Sequence, residues 1–178
     1  MSPYIFSFLL IISLISCNSL KNHSKMTNQK EQSEKDGPQI LEPKVIGIGG
    51  IFFFSDNPKE TREWYHKNLG LVVNDYGSTF EFRNADRPEE LNYLQWSPFK
   101  TGTDYFKPST KEFMVNYRVQ NIEGLVSKLK ENGIKILDDI ATYDYGKFVH
   151  ILDVDGNKIE LWEPVVKDPA NALKNTTK

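Results

Sequence analysis

The chain has 178 residues, 39% of them hydrophobic and 26% charged, the balance of one soluble globular domain with polar appendages. A formal net charge of −2, with both signs interspersed, leaves no electrostatic footprint for nucleic acid. The single cysteine, Cys17, excludes an internal disulfide and any paired-cysteine metal motif, so a metal would have to draw on His, Asp, Glu or Gln.

Taken in chain order, Ile5 to Ser16 is an apolar run well short of the ~20 residues that a helix needs to cross a bilayer. It ends in Leu14-Ile15-Ser16-Cys17, which resembles the lipobox of bacterial lipoprotein signal peptides. That resemblance implies a signal peptide over residues 1–17, a lipid on Cys17 and a membrane-anchored protein of the bacterial cell envelope. The first residues, Met1-Ser2-Pro3-Tyr4, carry no Lys or Arg, so a start at Met26 and a cytoplasmic protein stands as the alternative. Residues 18–43 are rich in Lys, Glu, Gln and Ser and contain Gly37-Pro38, which reads as a disordered tether.

The body begins with a β-branched and aromatic strand, Val45 to Phe54, whose three glycines predict a close approach to its backbone. Asn57-Pro58 then starts a helix that Gly70 stops, with Trp64 and Leu69 expected to pack inward. Three strands follow, around Leu71 to Tyr76, Thr79 to Arg83 and Asn92 to Ser97. After a loop the order recurs: a strand over Phe113 to Val119, a helix over Ile122 to Asn132, a short strand over Ile134 to Leu137, and a hairpin turning at Asp155-Gly156-Asn157. Asp75-Tyr76-Gly77 returns as Asp144-Tyr145-Gly146, and Trp96-Ser97-Pro98 as Trp162-Glu163-Pro164, which supports an internal repeat of about 66 residues. Residues 165–178 are polar and read as a flexible tail.

Two βαβββ units, 44–98 and 111–164, with Leu69-Gly70-Leu71 closing the first helix and Asp155 to Glu163 closing the second unit, resemble the vicinal oxygen chelate superfamily over residues 44–164. That group includes glyoxalase I, bleomycin and fosfomycin resistance proteins and extradiol dioxygenases. The resemblance implies an α+β fold in which the units form an open, eight-stranded, barrel-like sheet around a cavity, with the first strand of each unit beside its fourth. It does not fix a function. Metal-dependent members place ligands in the first strand of each unit and near the end of each unit's last strand. Glu160 matches the last of these; the first-strand positions fall at Gly49 and Met114, which cannot ligate. The remaining position falls at Leu94 if the Trp-x-Pro words are aligned, or at Gln95 if the strand slips by one. A divalent Zn, Ni, Mn or Fe ion therefore has an incomplete set, Glu160 and Gln95.

Alternation along the strands turns Met114, Asn116 and Arg118 toward the same cavity as Glu160 and Trp162. His150 follows on the neighbouring strand, and the repeat maps it onto Glu81. An ionised Glu160 in an apolar barrel needs a cation, hydrogen bonds or a raised pKa. Arg118 could supply a structural ion pair. Alternatively, Glu160 or His150 acts as a general base on a carbon acid, with Arg118 on the developing oxyanion. Asn116, Arg118, Trp162, Glu81 and Trp96 are the expected substrate-binding residues. The leading expectation is a domain that binds a small organic molecule without the full metal site. A metal-dependent lyase or dioxygenase resembling lactoylglutathione lyase, and a sequestering protein of the antibiotic-resistance kind, in which a homodimer could complete the pocket, stand as alternatives.

Overall fold

The computed structural model describes residues 41–165, 173 and 175–177. The expected signal peptide, Cys17 and most of the expected tether lie outside those residues. Among them no helix is long and apolar enough to cross a membrane.

Seven strands form one curved, unclosed sheet. They are β1 (Lys44–Ser55), β2 (Ser78–Arg83), β3 (Leu91–Lys100), β4 (Phe113–Gln120), β5 (Ala141–Tyr143), β6 (Gly146–Leu152) and β7 (Lys158–Pro164). Their order is β2-β3-β1-β4-β7-β6-β5. The first strand of each unit lies parallel to the last strand of the same unit, β1 with β3 and β4 with β7, and the units meet where β1 and β4 pair antiparallel. Among the described residues two α-helices, α1 (Pro58–Leu69) and α2 (Ile122–Glu131), complete the α+β fold.

The sheet has seven strands where the sequence suggested eight, and side chains that capture backbone donors explain the difference. At Leu71 to Tyr76 only the bridge Val73↔Ser78 forms. There Asn74 Oδ1 accepts from the N–H groups of Tyr76 (2.8 Å) and Gly77 (3.1 Å), folding the segment into a turn. Ile134 to Leu137 likewise contributes the single bridge Ile136↔Ile151. Just beyond it, Asp138 Oδ1 takes the N–H of His150 (2.8 Å), and the edge strand is β5 instead.

The main core lies between α2 and the second half of the sheet: Val119, Ile122, Leu125, Val126, Val149, Ile151 and Leu161 are buried together. Asn121 caps α2 by accepting from Gly124 N–H (3.1 Å), and the Glu163 carboxylate meets the N–H groups of Asn121 (2.5 Å) and Ile122 (3.4 Å). A negative group at a helix N-terminus is the favourable arrangement. A smaller cluster joins Phe52, Phe106 and Met114. Helix α1 has a sound start, with Pro58 in its first turn and Asn57 as cap, but it buries none of its residues. Trp64 is 54% exposed and Leu69 59%, against the inward packing expected of them. Tyr65 makes the contact instead, its ring 4.5 Å from that of Trp96.

The described end of the chain also differs from a free tail. Thr177 bridges Phe80 on β2, with its N–H bonded to Thr79 O at 2.8 Å.

Candidate functional site

A row of residues crosses the sheet in register: Thr79 faces Gln95, Gln95 faces Gly50, Gly50 faces Asn116, Asn116 faces Glu160, and Glu160 faces His150. Since each strand sends alternate side chains to one face, this row fixes which groups meet on the concave side. Gln95 and Glu160 hold matching positions in the two units. Of the two registers the repeat allowed, the one-residue slip is therefore the correct one.

That slip relocates two expected residues. Trp96, one place past Gln95, faces away from the cavity and packs its ring against Phe53 (5.3 Å) and Tyr65 under α1. The position matching His150 is Thr79, not Glu81. Glu81 sits on edge strand β2 opposite Tyr93, with β3, β1 and β4 between it and β7.

Glu160, 3% exposed, is the hub of the polar cluster. Asn116 Nδ2 donates to its Oε1 at 2.7 Å; Tyr105 Oη donates to Oε2, and His150 Nε2 lies 3.0 Å from the same oxygen. His150 Nδ1 meets Asp138 Oδ2 at 2.6 Å, so Asp138, His150 and Glu160 form a continuous chain. Tyr105 comes from the loop joining the units and is fixed there by Lys158, whose Nζ donates to Tyr105 O (2.7 Å).

The electrostatics follow from these contacts. Burial opposes an ionised Glu160, but hydrogen bonds from His150, Tyr105 and Asn116 outweigh it and hold its pKa below the ordinary value. Burial likewise opposes a charged His150, yet the carboxylates of Glu160 and Asp138 raise its pKa. Burial and then the Glu160 charge push the Tyr105 hydroxyl up, keeping it a neutral donor. The cluster thus sets the His150 ring between the carboxyl groups of Asp138 and Glu160, facing a pocket of about 310 Å³ walled by Tyr143, Tyr145 and Phe148. Asp138 escaped the sequence reading because no periodicity marks it. Tyr105 lies in the loop joining the units, where no periodicity marks it either.

Arg118 does not join this cluster, and the expected ion pair with Glu160 does not form. Its register partner on β7 is Trp162, and its guanidinium lies 5.0 Å from that ring. Its Nη2 donates to Asn92 Oδ1, and Glu90 Oε1 lies 3.8 Å away. Burial lowers its pKa to about 10. The Arg118 cavity, about 170 Å³, adjoins the Glu160 pocket across Tyr145, which lines both.

The family's metal positions are filled by other chemistry. A Cβ at Gly49 would fall 2.1 Å from Asn116 Oδ1 and 2.8 Å from Trp162 Cε3, so a ligating side chain has no room there. Met114 is fully buried against Phe52 and Phe106. Gln95 is engaged by Thr79 Oγ1 (2.8 Å) and Ser97 Oγ (3.0 Å) rather than with Glu160. Among the described residues no group of three or more His, Cys, Asp and Glu side chains is arranged to hold a metal ion. The residues present do not fit the family's metal centre.

A curved α+β sheet built from two repeated units, with a polar cluster on its concave face, defines a class of small barrel-like domains with a central cavity. The model of the Glyoxalase/Bleomycin resistance protein/Dioxygenase superfamily matches residues 47–161, and the chain belongs to that superfamily. A search of curated proteins finds no match. Among solved structures, the fold is shared by methylmalonyl-CoA epimerase in complex with methylmalonyl-CoA and NH4+, at 16% identity, with 71% of this chain and 100% of that chain covered and a TM-score of 0.53. A variant of Streptomyces coelicolor methylmalonyl-CoA epimerase with bound 2-nitronate-propionyl-CoA is similar at 15% identity, covering 69% and 100%, with a TM-score of 0.52. At these identities the likeness is one of fold.

Proposed function

We propose that this domain binds a small organic molecule on the concave face of its sheet, without the metal that many relatives use. The observation that carries this reading is the pocket over Glu160, where fixed polar groups lie beside the rings of Tyr143, Tyr145 and Phe148. Such a floor is already ordered by its own hydrogen bonds, so a ligand spends little binding energy organising it. The test is a thermal-shift screen of small metabolites, with and without a chelator. A ligand at ~100 times its Kd contributes about 2.7 kcal/mol to stability, a readily seen rise in melting temperature. A rise that survives chelation supports the reading. One that needs Zn, Ni, Mn or Fe would overturn its metal-free part, and no rise with any compound would overturn binding.

Proton transfer on a carbon acid next to a carbonyl is a second reading, favoured by the line from Asp138 through His150 to Glu160. In it Glu160 takes the proton and the charged His150 supplies one. Binding is placed first because a carboxylate held below its ordinary pKa is a weak base. Glu160→Gln is expected to abolish turnover while ligand-induced stabilisation persists; a binder that sequesters its ligand shows no turnover in either form. The envelope location rests on Cys17 alone, and Cys17→Ala should then move the protein out of the membrane fraction.

A further inference from the structure

The cavity on the β2–β3 side of Trp162 holds a charge that its own walls answer only in part. Arg118 is 3% exposed, and its Nε and Nη1 groups are buried without an acceptor among the described residues. Leaving such donors unmatched is costly. Glu90 offsets the charge incompletely, because its Oε2 is bonded by Arg87 Nε at 2.6 Å while Arg118 stands 3.8 Å from Oε1. Two guanidinium groups therefore share one carboxylate, and the trio sums to +1. The fork of N–H donors on an arginine matches a carboxylate in shape as well as charge.

The rest of the wall is mostly apolar or aromatic, with Thr79, Gln95 and the Glu90 carboxylate adding polar edges. Leu91, Tyr93, Trp162, Val165 and Leu173 supply most of its wall. Its volume is about 170 Å³, and an apolar cavity of roughly 150 Å³ is known to admit benzene. The space suits one ring, not a large cofactor.

We propose that this cavity binds a small carboxylic acid with a single flat ring, its carboxylate on the Arg118 guanidinium and its ring against the apolar wall beside Trp162. The inference goes beyond the pocket over Glu160, because it stands on Arg118 rather than the Glu160 cluster and on a separate cavity. The test titrates benzoate, and its uncharged isostere benzamide, into the purified full chain by calorimetry, with tryptophan fluorescence in parallel. Benzoate is expected to bind at least ten times more tightly than benzamide, and Arg118→Met to lose that preference. Since a buried arginine variant could fold poorly, Val165→Trp is the second variant: it narrows the cavity at its exposed rim, leaves the charge in place and should weaken benzoate binding. Equal binding of the two probes would overturn recognition of the anion, and benzoate affinity unchanged in either variant would overturn the location. No binding of either probe would overturn the site, whatever the metabolite screen shows for the Glu160 pocket.

Discussion

Asn116 Nδ2 donates to Glu160 Oε1 over 2.7 Å, joining β4 to β7 by side chains where their backbones already face each other. This bond fixes which way the amide points. Its Oδ1 then lies in the space above Gly49, where an added Cβ would come within 2.1 Å.

Gly49→Ala should consequently cost about 1–3 kcal/mol, the usual penalty for overpacking a tight site. Thermal and urea unfolding measure it. A variant as stable as the parent would show that Asn116 and Trp162 yield freely.

Stability should vary with pH through His150 and Glu160. The His150 pKa is raised above 6.5, so its contribution is complete below that value and fades as pH rises through the folded-state pKa. The Glu160 pKa lies below 4.5, so its contribution is complete above that value and fades as pH falls through the folded-state pKa. The melting temperature should be highest between about 4.5 and 6.5 and decline on both sides. His150→Gln should flatten the alkaline limb. A parent protein whose melting temperature is level from about pH 6 to 9 would rule out a charged His150.

Removing His150 takes one of three hydrogen-bond partners from a buried carboxylate. His150→Ala should destabilise by about 3 kcal/mol, in the range for breaking a buried pair. Lys147→Ala, which breaks the exposed contact to Glu123 at 2.6 Å, should cost no more than about 1 kcal/mol and less at high salt. Denaturant titrations of the two variants, run together, check the contrast.

The helices should be unequal. Ile122→Ala empties a fully buried position in the main core and should cost about 2–5 kcal/mol. Trp64→Ala, on a helix that buries nothing, should cost under about 1 kcal/mol. Equal losses would mean that α1 is packed more firmly than its exposure indicates.

Much of the architecture was legible because it rests on local chemistry. Gly156, at φ 76°, turns the last hairpin as its neighbours suggested, and Leu161 reaches the core while Glu160 faces the cavity. Register was harder to read. A shift of one residue turns a strand's whole set of side chains over. Aligning Trp96 with Trp162 by their shared words therefore put Trp96 on the wrong face, and the two-residue offset between Thr79 and Glu81 misplaced a carboxylate. The site's remaining members depend on long-range placement. Asp138 meets His150 across 12 positions and Tyr105 meets Glu160 across 55, and no periodic pattern reports such encounters. The Arg118–Glu160 pairing looked reasonable by adjacency of strands. It fails because Asn116, not Arg118, is the residue in register with Glu160.

The Thr177 bridge on β2 bears on how the molecule behaves in company. An unclosed sheet has two raw margins, and here one is β5, only three residues long. The other, β2, is twice that length and would offer a template to any extended chain, but Thr177 already occupies part of it. Thr177 thus acts as a selvedge along part of β2. A chain cut back to Pro164 should stick to its own copies at concentrations the full chain tolerates.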